Sequence, residues 1–486
     1  MSRDSRVALA LAAVAVALGL LGDVLFHGHP LGLNVLLFAL CFVAALALLL
    51  RVGRAPLHQG RRWMAAPLLV FSAAFVWHDS PLLTAANLVA LAGAVSLGAL
   101  RRTQTSPTRA GVGEYAAALA SAGAGTFAGA VHLLHREVPW QEAERVLRGR
   151  RSASIGRGLA LGAPLVALFG GLFIAADAVF KNLVTSAVPN LSRVWPHLFF
   201  AAALGWAAAG LLRDLIAAKD DRRVLPADSL LARRLSLGAT EVAVALGALV
   251  LLFAAFVAVE ARYLFGGSAL VQARVHLTYA EYARHGFFEL VAVSLLVLPV
   301  ILAANAVVRD RVQLVRRLSA TLVALELVVA DSALQRLRLY QEQFGLTELR
   351  LYATGIVVWL AFVFLWLAAT TLRGRRRFAV GALVLGFAAT AALNVVNPDA
   401  VIARTNLSRP QVDAAYLGGL SDDAVPALLT RLPSLRQPLR VDLARLLLAR
   451  AQSGHGVLDW NRSRAHARTL LAERRRELLR IAGLAR

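Results

Sequence analysis

Acidic, basic and tyrosine side chains recur near the ends of long apolar segments of this chain. Charged groups are costly within a membrane, so each of them needs either a partner or a function there. Two alternatives follow: a structural network of acid–arginine pairs, or a binding site for an anionic headgroup or solute. The residues concerned are Asp23, Asp177, Glu260, Arg262, Tyr282, Arg284, Glu289, Asp331, Arg338, Tyr340 and Arg350.

Glu326 differs from these residues because it lies deeper within its apolar segment. A single carboxyl group in the middle of a membrane span is a functional hypothesis by default, since its burial must be compensated. Proton relays are one use of such a group. Glu326 is therefore the proton-relay candidate of this chain.

Histidines in two short loops between apolar segments form a candidate metal site. His27 and His29 lie in one loop, and His78 and Asp79 lie in another. Imidazole and carboxylate groups are ligands of zinc and copper. Histidines are also common at membrane interfaces, and the alternative is that these two loops are polar and bind no metal.

Motifs of several enzyme classes are absent from the sequence. It contains no Walker sequence, no His-Glu-x-x-His, no Gly-x-Ser-x-Gly and no Cys-x-x-Cys, and Cys41 is its only cysteine. The first loop outside the membrane is too short for a polyprenyl-linked glycosyltransferase, which usually carries acidic residues in a long one. We therefore expect neither enzymatic activity nor a cofactor.

The composition indicates an integral membrane protein. Of the 486 residues, 58% are hydrophobic, and the mean hydropathy is +0.63. A soluble protein of this size would expose large apolar patches. The net charge of +23 comes almost entirely from arginine, and these arginines lie in loops between apolar segments. That pattern is typical of membrane topology, so we expect no nucleic-acid partner.

Eleven apolar segments are long enough, or nearly long enough, to cross a bilayer as helices. A crossing helix needs about 20 predominantly apolar residues. Trp63–Trp77 is shorter but has tryptophan at both ends, as interfacial anchors do. The predicted spans are Val7–Phe26, Leu31–Leu50, Trp63–Trp77, Pro81–Leu100, Gly158–Phe180, Trp195–Leu212, Gly238–Val259, Gly286–Val308, Leu318–Leu334, Leu351–Leu372 and Phe378–Val396.

Arginine asymmetry predicts the orientation of these spans. Arginines concentrate in loops 51–62, 101–157, 213–237, 309–317 and 373–377. The first three loops on the other side, His27–Pro30, His78–Ser80 and Lys181–Val194, contain a single arginine, Arg193. Because cytoplasmic loops carry the excess of arginine, the N-terminus is predicted inside and the C-terminus outside. Loops 260–285 and 335–350 are predicted outside yet carry several arginines, which favours a structural or functional reason for those residues.

The segment Val112–Leu134 is apolar enough to suggest a twelfth span. A crossing there would invert every later loop against the arginine rule. We therefore predict an interfacial or re-entrant helix on the cytoplasmic side, or a helix packed within the bundle. The basic segment 135–157 that follows is predicted to lie on anionic lipid headgroups or to dock a protein.

The predicted fold is all-α, with a polytopic helix bundle followed by a small helical domain. Asn397 onward has amphipathic helical spacing and turn signals but no long apolar run. The predicted divisions are a four-span group at 1–100, a cytoplasmic linker at 101–157, a seven-span bundle at 158–396 and an extracytoplasmic helical domain at 397–486.

Several local sequence patterns resemble those of a family of bacterial membrane proteins. Taken together they are similar to domain of unknown function 4153 and its relative 4173. The resemblance implies a multi-span bacterial inner-membrane protein without an assigned activity, and it supplies no catalytic residues. The patterns are Thr278–Leu290, Arg338–Arg350, Gly32–Asn34, Ser80–Asn87, Asn397–Asp399, Tyr416–Pro426 and Asp459–Asn461.

Two functional classes remain after these exclusions. One is a non-enzymatic envelope scaffold or sensor-type component, whose partners are the lipid bilayer, anionic lipid headgroups and an envelope protein. The other is a transporter or lipid-handling protein that uses the polar residues at the outer ends of the spans. A water-filled cavity reaching Glu326 would favour transport, and a bundle filled to its outer end would favour the scaffold.

Overall fold

The fold is helical throughout, as the sequence predicts. We describe a computed structural model that covers residues 3–54, 59–100, 106–138, nine positions between 158 and 177, and then 191–216, 238–275, 287–308, 312–374, 377–410, 412–450 and 456–484. No strand occurs among these residues. Side chains at 59–61, 191–193, 261–275 and 288 lie outside the description.

Eleven helices, numbered here among the described residues, form the apolar part of the molecule. α5 continues into a single π-helical turn at Leu133–Glu137. The helices are α1 Arg3–Phe26, α2 Leu33–Val52, α3 Gln59–Trp77, α4 Pro81–Ala99, α5 Val112–His132, α6 Leu191–Ile216, α7 Ala239–Val275, α8 Phe287–Val307, α9 Val312–Phe344, α10 Glu348–Ala369 and α11 Phe378–Val396.

Nine helical segments in the described part of the chain are long and apolar enough to cross a membrane. Eight of them coincide with predicted spans, and the ninth is Val112–Glu137. The predicted span Trp63–Trp77 lies in the shorter apolar helix Arg62–Trp77, and Gly158–Phe180 falls mostly outside the described residues. A polytopic helical bundle is thus confirmed, whereas eleven spans and their orientation stay predictions.

The first hydrophobic core is built by α1–α6. Small residues bring α1 and α6 together: a Cβ on Gly19 would collide with the backbone of Ala201 and would lie 2.9 Å from the Cα of Gly205. Helices approach this closely only where both faces lack side-chain bulk. The predicted division placed 191–216 with the later spans, but this glycine-lined face packs it against α1.

The two ends of this core can be told apart by their loops. Val7 near the start of α1 contacts Gly53 after α2, and Gly98 near the end of α4 lies against Met64 of α3 and Leu215 of α6. These helix ends share one end of the core, which we call the arginine end because it holds Arg51 and Arg54. The opposite end, the histidine end, holds loops 27–32 and 77–80. Asp23 at the histidine end bonds to His197 in α6. His197, near the start of α6, therefore lies at the opposite end of this core from Leu100.

α5 lies against the arginine end of α6. A Cβ on Gly125 would lie 2.9 Å from the carboxyl carbon of Asp214, and Arg213 donates to Glu137 at 2.8 Å. The middle and the far end of this helical segment thus meet neighbouring residues of α6. This arrangement favours the predicted helix packed within the bundle over a full crossing, which would carry Glu137 to the histidine end.

The second core is built by α7–α11 and surrounds α9. α9 contains the predicted span Leu318–Leu334 but is less apolar than its neighbours, and its polar positions Ser319, Glu326 and Ser332 are fully buried. α7, α8 and α10 pack against it. Because protein rather than lipid surrounds these positions, the helix tolerates side chains that a lipid-facing span would not.

The C-terminal helical domain has a third core of its own, as the sequence predicts for its helices. Asn397 accepts a hydrogen bond from Ala400 N at 3.2 Å and begins the first helix, so α11 and α12 are joined without a linker. The helices are α12 Pro398–Leu407, α13 Ala414–Gly419, α14 Val425–Arg431, α15 Leu439–Arg450, α16 Arg462–Glu473 and α17 Arg475–Ile481.

Candidate functional site

Sequence patterns that are far apart in the chain meet where the C-terminal helical domain contacts the histidine end. Four of the patterns that carry the predicted family resemblance, Ser80–Asn87, Asn397–Asp399, Tyr416–Pro426 and Asp459–Asn461, contribute a residue there. We call this contact the polar joint. Its residues are His78, Asp79 and Ser80 from the loop between α3 and α4, and Asp399, Ser421, Asp423, Asn461, Ser463 and Arg464 from the C-terminal helical domain.

Asp423 is the centre of the polar joint. Its Oδ1 lies 2.8 Å from Nδ1 of His78 and accepts from the Ser463 hydroxyl at 2.6 Å. Its Oδ2 accepts from the backbone N–H groups of Asp79 at 2.8 Å and Ser80 at 3.1 Å. Both His78 and Asp423 are buried. A carboxylate buried at such a contact is stable only when it is paired and hydrogen-bonded in this way.

The partners of His78 fix its charge. Nε2 of His78 lies 2.6 Å from the backbone carbonyl oxygen of Asn394, and Nδ1 faces Asp423. Both partners accept hydrogen bonds, and only the protonated imidazole donates from both nitrogens. His78 and Asp423 therefore form a buried ion pair. The same geometry leaves no ring nitrogen of His78 free to activate a nucleophile.

Hydrogen bonds from His78 and Ser463 affect the charge of Asp423 as well. Burial raises the pKa of this carboxyl group, but the hydrogen bond from His78 and that from Ser463 outweigh burial, so the pKa lies below its usual value. Asp399, fully buried nearby, accepts from Ser421 N at 3.1 Å. Burial raises the pKa of Asp399 despite that hydrogen bond.

Asn461 ties the C-terminal helical domain to the end of α3. Its amide group donates to the backbone carbonyls of Phe75 at 2.8 Å and His78 at 2.7 Å. Its own oxygen accepts from Arg464 N at 3.1 Å and so begins α16. One side chain thus caps a helix of the domain and satisfies the last carbonyls of a helix in the bundle.

The loop between α1 and α2 is held by the same segment of the C-terminal helical domain. Leu33 N donates to Trp460 O and Asn34 N donates to Leu458 O, both at 2.9 Å. A Cβ on Gly32 would lie 2.7 Å from the carbonyl oxygens of Asp459 and Trp460, so the contact requires glycine. The buried amide of Asn34 donates back to Leu25 O at 2.9 Å and fixes the loop itself.

Asp79 and Arg464 form a second ion pair across the polar joint, with Arg464 Nε 3.1 Å from Asp79 Oδ1. Burial raises the pKa of Asp79 to about 6, and the opposing effect of Arg464 is smaller. Between about pH 4 and pH 6 the folded protein therefore holds a proton on Asp79 that the unfolded chain, with a pKa of 3.8, has already released, and above pH 6 the ionised carboxylate pairs with Arg464. The corresponding stabilisation is present below pH 4 and is lost as the pH rises through 6.

Asp79→Asn tests this pH dependence. The pKa shift from 3.8 to about 6 corresponds to at most about 3 kcal/mol of free energy of unfolding. We expect the wild type to lose melting temperature relative to Asp79→Asn as the pH rises from about 4 to about 7. Melting curves of both proteins in one detergent measure the difference, and parallel pH profiles would contradict the expectation.

A cavity of about 330 Å³ opens beside the polar joint. It is lined by Asp79 from the bundle and by Ser421, Asp422, Arg450, Arg464, Arg468 and Leu471 from the C-terminal helical domain. Asp422 pairs with Arg450 at 3.4 Å. Three arginines against two carboxylates leave the lining positive, which suits a carboxylate or phosphate group.

A second contact joins the C-terminal helical domain to the end of α9. Asn406 accepts from Leu346 N at 2.8 Å and donates to Leu346 O at 2.7 Å. Arg409 donates to the last carbonyls of α9, including Gln343 O at 2.7 Å. Tyr416 accepts from Glu348 N at 2.9 Å. The domain is thus attached to both cores of the bundle.

The predicted charge network is assembled differently from the sequence expectation. Glu260 pairs with Arg336, an arginine of loop 335–350 that is not among the predicted site residues. Arg338 instead pairs with exposed Glu342, and Arg350 stacks on Tyr340 at 4.0 Å.

Three other predicted acids have different surroundings. The Asp331 carboxylate accepts a hydrogen bond from Gln335. Exposed Glu289 lies in the first turn of α8, and the backbone N–H of Asp177 donates to Phe173 O. The side chains of Arg262, Tyr282 and Arg284 lie outside the described residues.

The predicted metal ligands are divided between two places. His78 and Asp79 belong to the polar joint, whereas His27 lies beside Asp23 and His197. His29 is half-buried in the same loop as His27. Glu326 is fully buried in the second core, as its position in the span predicts, and accepts from the Ser294 hydroxyl.

The residues that the sequence interpretation missed are Asp423, Ser463 and Arg464. Asp423 lies 345 positions from His78, so no local spacing links the two. The available signal was the polar Asp-Trp-Asn pattern at 459–461 in a helical domain. Asn461 of this pattern caps α16 with its side-chain oxygen, and its side-chain nitrogen donates to the end of α3.

Comparison with known proteins assigns the chain to a family. The family model described as "Domain of unknown function (DUF4153)" matches residues 65–430, which include the loop of the polar joint, all helices of the second core and Asp423. No curated protein and no solved structure matches the chain. The matched segment spans most of the sequence, and the chain belongs to the DUF4153 family.

Proposed function

We propose that this protein is a non-enzymatic scaffold or sensor-type component of the bacterial cytoplasmic membrane. Its N-terminus lies inside, and its C-terminal helical domain lies outside, where it meets an envelope protein or anionic lipid headgroups. The observation that carries the proposal is the polar joint. The buried His78–Asp423 ion pair, the half-buried Asp79–Arg464 ion pair and the Asn461 bonds hold that domain against two loops of the bundle.

The chemistry of the polar joint supports coupling rather than simple tethering. A tethered domain needs only a linker, and domains joined by small polar interfaces move relative to each other. Here buried charges stay compensated only while the loop and the domain remain together. A ligand that displaces the C-terminal helical domain must therefore disturb the ends of α3 and α4. A docked partner would act on the spans through those ends.

The positive cavity supports an anionic partner at the same place. Arg464 belongs both to the cavity lining and to the ion pair with Asp79. A carboxylate or phosphate bound there would compete with Asp79 for this guanidinium group. Binding outside the membrane would then change the contact between the domain and the bundle, which is the property a sensor requires.

Complementation tests the proposed role. Cells lacking this protein would receive the wild type, Asp423→Ala, Glu326→Gln or the surface variant Asp442→Ala, with membrane amounts matched by immunoblotting. Resistance of the envelope to detergent and chelator is the readout. We expect Asp423→Ala to fail and the other two variants to restore the wild-type level. Full restoration by Asp423→Ala together with failure of Glu326→Gln would overturn the proposal.

A transporter is the second candidate, and a line of buried polar groups in the second core favours it. Ser319 accepts from Asn305 at 3.0 Å, and Glu326 and Ser332 follow on the same helix. Among the described residues, Oε2 of Glu326 has no hydrogen-bond partner. Proton flux into vesicles that carry the protein, abolished by Glu326→Gln, would support this function, and the absence of flux would exclude a proton-coupled form of it.

A further inference from the structure

Three potential metal ligands converge at the histidine end of the first core, apart from the polar joint. Asp23 and His27 are one helical turn apart at the end of α1, and His197 extends from α6. His197 Nδ1 lies 2.8 Å from Asp23 Oδ2, and His27 Nδ1 lies 3.8 Å from Asp23 Oδ1. One ligand atom from each residue lies within 4.8 Å of the other two.

We propose that Asp23, His27 and His197 bind a divalent transition metal of the zinc class. Ligand atoms about 2.0–2.2 Å from a tetrahedral zinc ion are separated by roughly 3.3 Å from each other. The two separations of 2.8 and 3.8 Å bracket this value, so small side-chain rotations complete the set. Two imidazoles with one carboxylate select zinc and its neighbours over magnesium or calcium.

Burial of one ligand atom is the second observation for this site. Oδ1 of Asp23 is buried and lacks a hydrogen-bond partner among the described residues. A buried carboxylate oxygen without a partner is costly, and a bound cation would compensate it. This oxygen lies 3.8 Å from Nδ1 of His27, so a cation held between the three ligands would contact it.

The packing around the site holds its ligands in place before metal binds. Gly19 and Gly205 bring α1 and α6 into backbone contact one turn below Asp23. The rings of His27 and His197 lie with centroids 4.1 Å apart. The side chain of His197 is 54% exposed and that of His27 is 31% exposed. Three protein ligands with an accessible fourth position are the pattern of sites that also take water or a substrate group.

Titration of the purified full-length protein with Zn²⁺ tests the site. The protein carries eleven histidines, so a purification tag without histidine is required. We expect saturable binding of one zinc ion and a higher melting temperature on binding, with no effect of Mg²⁺. Asp23→Asn and His197→Ala should weaken zinc binding by more than about tenfold, since losing even a supporting contact typically costs that much.

The control is His466→Ala, which removes an exposed histidine of the C-terminal helical domain. It should bind zinc as the wild type does. His197 is exposed, so His197→Ala is expected to fold, and its melting temperature without metal verifies this. No saturable zinc binding in the wild type, or equal binding by wild type and His197→Ala, would overturn the proposal and leave an Asp–His bond between α1 and α6.

Discussion

Replacement of Asp423 by alanine is expected to lower the free energy of unfolding by about 3–5 kcal/mol, the cost of breaking one buried ion pair. The substitution leaves the His78 imidazolium buried opposite a cavity. It also removes the acceptor of the Asp79 and Ser80 N–H groups and of the Ser463 hydroxyl. The C-terminal helical domain should then separate from the histidine end and become sensitive to protease at its junction with α11.

Asp442→Ala is the matched control, because it removes an exposed carboxylate from the same domain. Surface substitutions of this kind change stability by less than about 0.5 kcal/mol. Melting temperature in detergent and limited proteolysis of the two variants compare the sites directly. Equal stability of Asp423→Ala and Asp442→Ala would show that the polar joint does not hold the domain.

Arg336→Ala is expected to have an effect of similar size at the other core. Arg336 donates to Glu260 Oε2 at 2.6 Å, and the two side chains are 11% and 7% exposed. Removing the arginine breaks this buried ion pair, at a cost of about 3–5 kcal/mol. Replacing both residues by apolar ones should recover most of the loss, because well-packed hydrophobic residues often substitute for a buried pair.

Arg338→Ala on the same helix is the control for Arg336→Ala. Its guanidinium group is 81% exposed and pairs with Glu342 one turn away. Exposed pairs of this kind contribute about 0.3–0.5 kcal/mol. Melting temperatures that fall equally in Arg336→Ala and Arg338→Ala would contradict the assignment of Glu260 to a buried ion pair.

The helices and most candidate spans could be predicted because their signal is local. A run of apolar residues reports membrane insertion without reference to the rest of the chain. Where polar or small residues interrupted the apolar pattern, helix packing determined how the segment is buried. α5 is apolar enough to span, but its small residues pack on α6, with Gly129 against Gly210. α9 lies within protein, so its hydropathy understates how deeply it is buried.

The pairing of charges could not be predicted because it depends on helix packing. The outer arginines were identified from topology, yet Glu260 selected Arg336, which faces α7, whereas Arg338 faces outward two residues later. A helix rotates by about 200° over two residues, so sequence distance alone does not choose between such neighbours. The same limitation applies to His27, whose potential co-ligands are Asp23 and His197 rather than His29 or His78.

The polar joint was visible in the sequence only in parts. The patterns at 32–34, 397–399, 416–426 and 459–461 were recognised as typical of a family, but nothing in their spacing indicated a common location. Each is polar for a local reason, such as Asn397 capping α12 or Asn461 capping α16. Their meeting follows from the short connection between α11 and α12, which places the C-terminal helical domain on the histidine end.

Amide hydrogen exchange at residues 77–84 of the full-length protein tests the central claim most directly. The N–H groups of Asp79 and Ser80 have no helix to protect them, and both donate to Asp423. We expect slow exchange of these amides in the wild type and fast exchange in Asp423→Ala, while the interior of α4 stays protected in both. Fast exchange of Asp79 and Ser80 in the wild type would show that the C-terminal helical domain is not joined to the bundle through Asp423.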